Sequence, residues 1–387
     1  MKNFSPRSPL PPAPSALGAS RVLLATVYRA SLAAALLAPP AWAAGPPAPL
    51  SSPMAKTGTQ YKADADMQAV LDELASLGGK PIESLTPQEA RQQPTPADAV
   101  TALLKKQHKD TSPMALVPGV SSVDREISGA AGTIPARVYT PDGAGPFPVV
   151  VYFHGGGWVI GDKQVYDGGA RGLAKQAQAI VLSVDYRLAP EVKFPAAWDD
   201  AFAAYKWAAA NAASIKGDPT RLALAGESAG GNLALATAIA VRDAGLQAPT
   251  HVLAVYPVGQ TGNLDTASYR DSATAKPLNK AMIGWFVDKL LAKPADKMDP
   301  RLDLVNAKLG GLPSVTIIGA QIDPLREDGA LLEAALKKAG VKVQRKLYTG
   351  VAHEFFGMAA VVKKAAEAQK FGGQALRGSF GATVAKR

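Results

Sequence analysis

From about residue 123 onward, short apolar runs alternate with longer amphipathic stretches. Ile134 to Tyr139 and Pro148-Val-Val-Val-Tyr-Phe153 have the length and β-branched content of strands. Ala179-Ile-Val-Leu-Ser-Val184, Leu222-Ala-Leu-Ala225, Val252-Leu-Ala-Val-Tyr256, Val315-Thr-Ile-Ile318 and Val343 to Tyr348 add further runs of strand length. Between them lie helical stretches around residues 166–178, 197–213, 229–243 and 326–339. This alternation predicts an α/β fold with a mainly parallel sheet and helices on both faces. Ahead of the first strand, Ala63 to Leu77 places Met67, Val70, Leu71 and Leu74 on one helical face. A second helix is expected to begin near Thr95-Pro96 and run through Leu104. Segment 262–300 interrupts the alternation, with a helix near Lys280–Leu291. These outlying helices are candidates for a cap over a site, and no internal repeat is found.

The N-terminus has a different texture. Lys2, Arg7, Arg21 and Arg29 form a basic region without one acidic residue, followed by the apolar run Ala30 to Ala38 and then Pro39-Pro-Ala-Trp-Ala43. Small residues at Ala41 and Ala43 fit an Ala-x-Ala cleavage pattern, so residues 1–43 read as a secretory signal cut before Ala44. The competing reading is an Ala/Pro-rich disordered tail. The run is too short for a bilayer and stops at Pro39, which argues against a permanent membrane anchor. Residues 44–60 then read as a flexible lead, 61–120 as N-terminal cap helices, and 121–372 as the main body with a cap insertion near 262–300. Residues 373–387, Gly-rich and basic, read as a flexible tail.

Composition narrows the classes. With 47% hydrophobic and 19% charged residues, the 387-residue chain can bury a sizeable core. It has no cysteine, which excludes disulfides, a thiol nucleophile and thiolate metal sites. Loss of residues 1–43 would lower the net charge from +10 to +6. The remaining basic residues are scattered, without a basic stripe and interleaved aromatics, so nucleic acid is not an expected partner. The four histidines show no His-Glu-x-x-His spacing, and no metal or other cofactor is expected. A homo-oligomer is compatible with the sequence but not demanded by it.

Three fragments carry the chemistry. Gly226-Glu-Ser-Ala-Gly230 lies between a strand and a strong helix former, so Ser228 sits on a sharp turn that lifts its hydroxyl clear of the sheet. His154-Gly-Gly-Gly-Trp158 directly follows a strand; Gly155, Gly156 and Gly157 can turn backbone N–H groups toward a developing oxyanion without Cβ interference. A phosphate-binding loop would need a Gly-x-Gly-x-x-Gly spacing or a P-loop lysine, and both are absent. His154 reads as a loop-orienting residue. His108 falls in the cap region and His251 opens a core strand, which leaves His353, in a loop after a late strand, as the base. Asp323 follows the Val315–Ile318 strand and precedes a helix, where its carboxylate could hold the His353 tautomer; Asp328 and Asp303 are weaker candidates, and a helix N-cap role is the competing reading for Asp323. The order Ser, Asp, His is that of α/β-hydrolases.

The ordered set His154-Gly-Gly-Gly-Trp158, Asp185-Tyr-Arg-Leu-Ala-Pro-Glu191, Gly226-Glu-Ser-Ala-Gly-Gly-Asn232, Asp299-Pro-Arg301 and Asp323-Pro-Leu325 resembles the hormone-sensitive-lipase-like family of α/β-hydrolases over roughly residues 65–370. The resemblance implies a triad of Ser228, Asp323 and His353, and an oxyanion hole from the N–H groups of Gly156, Gly157 and Ala229. It implies a cap built from N-terminal helices and a later insertion, and carboxylesterase activity on short acyl chains. One departure stands out: the family usually follows its histidine with Gly-Phe, whereas here the run is His353-Glu-Phe-Phe-Gly357. Phe355 or Phe356 is expected to take the aromatic role at the pocket, and Trp158 to wall it. The charged residues of 185–191 are expected to pair structurally.

The expected function is therefore a periplasmic or secreted serine carboxylesterase acting on a small-molecule ester through an acyl-enzyme on Ser228. An amidase or peptidase would use the same triad. A non-catalytic small-molecule binder on the same scaffold is the alternative from another class, and a retained His353 with a plausible acid argues against it.

Overall fold

The sheet is built of β1 (Val120–Gly129), β2 (Gly132–Pro141), β3 (Phe147–Phe153), β4 (Ile180–Val184), β5 (Gly217–Glu227), β6 (His251–Val255), β7 (Ser314–Ile322) and β8 (Val343–Ala352). The structure, a computed structural model, describes residues 61–381. The signal and lead expected over 1–60 lie outside the described residues. Strand order is β1-β2-β4-β3-β5-β6-β7-β8. β2 runs antiparallel to β1 and β4, and every pairing from β4 to β8 is parallel. This is the expected α/β-hydrolase fold, in which parallel neighbours are joined by crossovers rather than hairpins.

The alternation along each strand divides the core in two. Val149, Val151 and Phe153 of β3 join one apolar cluster, and Val150 and Tyr152 join the other. Ile180, Leu182 and Val184 of β4 separate from Val181 in the same way. A period of two leaves no alternative once helices cover both faces. The helices Ala196–Asn211 and Ala229–Asp243 pack on the first face, and Asp167–Ala177 and Lys363–Gly381 on the second.

Two details depart from the sequence expectation. β1 did not stand out as a strand, because its edge position leaves most of Ser121 to Glu126 in solvent. The tail expected to be flexible from residue 373 is helical to Gly381, with Gly372, Gly373, Leu376 and Phe380 buried. The glycines there serve close approach: a Cβ at 372 would stand 2.8 Å from Leu253, and one at 373 would stand 2.7 Å from the Gln176 backbone. Residues 382–387 lie outside the described part.

The N-terminal helices Ala65–Ser76 and Pro96–Lys106 and the insertion helix Lys280–Leu290 meet at one cavity with Ser228 and His353, through Leu71, Leu74, Pro96, Ile283 and Phe286. Thr95 caps its helix through a reciprocal box with Asp98. The two cap segments touch each other: Trp285 Nε1 donates to the Leu85 carbonyl at 3.2 Å, and Asn279 Nδ2 donates to Glu83 at 3.1 Å. Arg91 ties the cap to the body, donating to the Val159 and Ala189 carbonyls and to Glu191.

Candidate active site

Ser228 directly follows β5 with φ 57° and ψ −118°, a conformation that few side-chain-bearing residues adopt. Crowding explains the glycines around it. A Cβ at 230 would stand 2.5 Å from the His154 carbonyl oxygen, and one at 226 would stand 2.9 Å from the Gly231 amide. The helix Ala229–Asp243 starts immediately after, so its first amides, including that of Ala229, have no intrahelical acceptor and face the turn. Asn232 braces the site by accepting from Trp198 Nε1 at 3.1 Å and donating to the Val258 carbonyl at 3.1 Å.

Ser228, His353 and Asp323 form one chain of hydrogen bonds. Ser228 Oγ–H donates to His353 Nε2 at 2.9 Å, and His353 Nδ1–H donates to Asp323 Oδ2 at 2.8 Å. All three residues are buried, and Asp323 Oδ1 accepts from the Leu325 amide at 2.8 Å. Burial alone would push the His353 imidazole down; the Asp323 carboxylate, joined by Glu354 and Glu227, carries it above its ordinary value. The other two acid candidates are committed elsewhere: Asp328 accepts from the Gly259 and Gln260 amides, and Asp303 accepts from Asn306.

The glycine loop is held from both sides. His154 Nδ1–H donates to the Gly155 carbonyl at 2.8 Å, and its ring stacks on Tyr186 at 4.3 Å, whose hydroxyl donates to the His154 carbonyl. Gly156 has φ +92° and Gly157 has φ +61°, where a Cβ would be strained as well as crowded. Gly156, Gly157 and Ser228 line one cavity of about 370 Å³. Gly155 does not line it; its carbonyl is spent on His154 and its α-carbon lies against Tyr166. The loop geometry thus presents Gly156 and Gly157 to the cavity and leaves Gly155 as a support.

The same cavity is walled by the cap residues Ile283 and Phe286 and by Val258, Leu325 and Trp158 of the body. Trp158 is 2% exposed and its ring also packs on Trp198 at 5.1 Å, so it serves wall and core together. Phe355 and Phe356, expected at the pocket, are not there. Glu354 adopts φ +70° and turns the chain into the short helix Phe355–Met358, which sends both rings into the core. Phe355 packs against Tyr348 and Tyr256. The aromatics that line the cavity are instead Trp158 and Tyr166 of the body and Phe286 of the insertion helix.

Glu227 gave no sequence signal, and Glu354 stood out only as a departure beside the base. Glu227, next to the serine, is buried and accepts from the hydroxyls of Tyr152 and Tyr256. Burial and the nearby Glu354 push its carboxyl up to about 8, against the two tyrosine hydrogen bonds. Glu354 accepts from the Tyr166 hydroxyl at 2.7 Å, and its Oε1 lies 3.9 Å from His353 Nε2. Burial raises its carboxyl too, opposed by His353 and Tyr166. The charged residues of 185–191 pair as expected: Asp185 with Lys163, Arg187 with Asp200, and Glu191 with Arg91. Among the described residues no cluster of His, Cys, Asp and Glu could hold a metal ion.

A family model for the alpha/beta hydrolase fold matches residues 150–357. This chain belongs to the hormone-sensitive-lipase-like α/β-hydrolases. Carboxylesterase NlhH of Mycobacterium tuberculosis is 39% identical over 289 residues, which cover 73% of this chain and 90% of that protein. Ethyl acetate hydrolase of Pseudomonas putida is 35% identical over 242 residues, covering 61% of this chain and 75% of that one. Among solved structures, the hyperthermophilic esterase from Pyrobaculum calidifontis superposes with a TM-score of 0.73 at 34% identity, over 82% of this chain and 98% of the esterase.

Proposed function

We infer that this chain is a serine carboxylesterase that hydrolyses esters of short-chain acids through an acyl-enzyme on Ser228. The observation that carries the reading is the continuous Ser228–His353–Asp323 hydrogen-bond chain opening on a cavity next to Gly156 and Gly157. His353 Nε2 takes the Ser228 proton as Oγ attacks the ester carbonyl carbon. The carbonyl oxygen becomes an oxyanion held by the N–H groups of Gly156, Gly157 and Ala229. The ester C–O bond then breaks, and the leaving alcohol oxygen takes the proton from His353. Water repeats the sequence in reverse roles: His353 accepts its proton, its oxygen attacks the acyl carbon, and Ser228 Oγ leaves protonated with the acid released. A cavity of about 370 Å³ with apolar walls supports short acyl groups, and the ethyl acetate hydrolase among its relatives points the same way.

A fluorophosphonate probe tests the mechanism. Stoichiometric label on Ser228, lost in Ser228→Ala and slowed in His353→Ala, is expected, together with faster turnover of p-nitrophenyl acetate than of longer esters or of anilides. No label on well-folded protein would overturn the hydrolase reading, and faster turnover of anilides would favour an amidase.

The reading extends to an exported enzyme. Its support is the basic segment up to Arg29, the apolar run Ala30 to Ala38 and the small residues at 41 and 43. Amino-terminal sequencing of the protein recovered from the producing cells is expected to begin at Ala44; a cytosolic protein that keeps residues 1–43 would overturn export. No helix among the described residues is long and apolar enough to cross a membrane.

A further inference from the structure

Glu354 stands where the reaction gives it contact with only half of the substrate. His353 Nε2 must come within hydrogen-bond reach of the leaving oxygen in order to protonate it, so the alcohol half of the ester lies on the Nε2 side of Ser228. Glu354 Oε1 is 3.9 Å from that nitrogen. The Tyr166 hydroxyl holds Oε1 at 2.7 Å and so fixes the carboxylate in place; the side chain keeps 19% exposure and lines the cavity. The other charged side chains lining it, Lys80, Glu83, Arg91 and Lys276, come from the cap segments and not from the triad's loop. Arg91 is committed to Glu191, and Glu83 accepts from Asn279. A largely apolar cavity with an oriented carboxylate beside the leaving group discriminates by charge, because the low local dielectric strengthens attraction and repulsion alike.

We propose that Glu354 is a specificity-determining residue that reads the alcohol half of the ester, favouring alcohols with an ammonium or hydroxyl group near the ester oxygen and rejecting those with a carboxylate there. The inference rests on the esterase reading above. A hydroxyl or ammonium two carbons beyond the ester oxygen reaches the carboxylate by direct contact, whereas a carboxylate at that point faces a like charge across a few ångströms. Varying the acyl group at a fixed alcohol is expected to change the rates of the wild type and of Glu354→Gln alike.

The test uses three acetate esters of similar size: 2-(trimethylammonio)ethyl acetate, its neutral isostere 3,3-dimethylbutyl acetate, and 3-acetoxypropanoate. In the wild type, kcat/KM is expected to fall about tenfold from the ammonium ester to the neutral one, and about a hundredfold from the ammonium to the carboxylate ester. Glu354→Gln is expected to compress the whole range to within about threefold, and Glu354→Asp, which keeps the charge, to retain most of it. Glu354→Gly suits the φ of +70° and serves as the variant least prone to misfolding. It too is expected to lose the discrimination while still turning over the neutral ester. A wild-type ratio near one, or the same ratio in Glu354→Gln, overturns the assignment alone. Failure of the wild type on all three esters while p-nitrophenyl acetate is turned over overturns it alone; failure on p-nitrophenyl acetate as well overturns the esterase reading with it.

Discussion

The ring of Phe286 lies directly against the α-carbon of Gly157, so that a Cβ there would stand 2.6 Å from Cδ2 and nearer still to Cγ. The insertion helix thus forms the outer wall of the oxyanion loop, and the two positions are coupled. Gly157→Ala is expected to lower kcat/KM at least about a hundredfold, the usual loss when one oxyanion donor is displaced. Phe286→Ala in the same chain should return about tenfold of it, because the ring clash goes while the strain at φ +61° stays. Gly156→Ala should show no such rescue, since its Cβ would meet the Ile160 backbone, 2.7 Å from the carbonyl carbon. Steady-state kinetics on p-nitrophenyl acetate for the two single variants and the double decide this. Additive losses at 157 and 286 would show the loop and cap to be independent.

Asp323→Asn keeps the acceptor for the Leu325 amide but turns an N–H group toward His353 Nδ1. The imidazole must then carry its proton on Nε2, where it cannot accept from Ser228. The expected loss is about 10³–10⁴ in kcat with the fold retained, a wrong-tautomer effect. Circular dichroism and probe labelling measured together separate this from unfolding. A loss below about tenfold would assign the acid elsewhere.

The acid limb of the rate profile follows from the same histidine. Catalysis needs neutral His353, and its value is raised above the ordinary imidazole range, so kcat/KM should climb with pH through a midpoint above about 6.5. Glu354 contributes to the rise from 3.9 Å away. Glu354→Gln should therefore shift the limb to lower pH, by about one unit or less. The neutral ester is the substrate to use, because its own charge does not titrate. A limb that stays in place would show that Glu354 does not feel the histidine.

Much of this site was legible because local chemistry dictates it. A strand followed by Gly-Glu-Ser-Ala-Gly leaves the chain no room to turn unless 226 and 230 lack side chains, and the structure shows the carbonyls and amides that fill that room. Thr95, Pro96 and Asp98 spell a helix start that the fold uses unchanged. Legibility ends where contacts are distant in sequence. Tyr166 meets Glu354 across 188 positions, and no periodicity announces it. The same holds for Phe355 and Phe356, whose apolar character suits a pocket or a core equally; the left-handed turn at Glu354 sends them into the core. The Gly-rich end expected to be a flexible tail is helical to Gly381, and Gly372 and Gly373 are the small residues that let this helix approach Leu253 and Gln176.

Arg187 and Asp200 test the role of the 185–191 segment. Arg187 donates to both carboxylate oxygens, at 2.7 and 3.0 Å, and Asp200 is fully buried, accepting also from the Ala130 amide. Arg187→Met strands a buried charge, and a loss of about 3 kcal/mol in unfolding free energy is expected. Because neither residue lines the cavity at Ser228, the folded fraction should keep kcat/KM within about threefold. Urea unfolding and active-site titration measure the two quantities. A large loss of activity per titrated site would mean that the segment positions the catalytic loop directly.

Glu227 makes stability fall as pH rises. Its carboxyl titrates at about 8 in the fold against about 4.3 in an unfolded chain, so between those values the folded state holds a proton that the unfolded state has released. The stabilisation is complete below about pH 4 and is lost as pH climbs through 8, at about 1.4 kcal/mol for each pH unit in that window. Asp328, pushed up to about 8 by burial against its hydrogen bonds from Gly259 and Gln260, adds a second slope of the same sign. Glu227→Gln cannot ionise and keeps the shape of the side chain between Tyr152 and Tyr256. Its unfolding free energy, measured by urea between pH 5 and 8, should therefore decline less steeply than that of the wild type, by about 1.4 kcal/mol per pH unit. The variant should gain on the wild type as the medium becomes alkaline. Parallel curves would show that Glu227 is already ionised in the fold, with its charge carried by the two tyrosine hydroxyls.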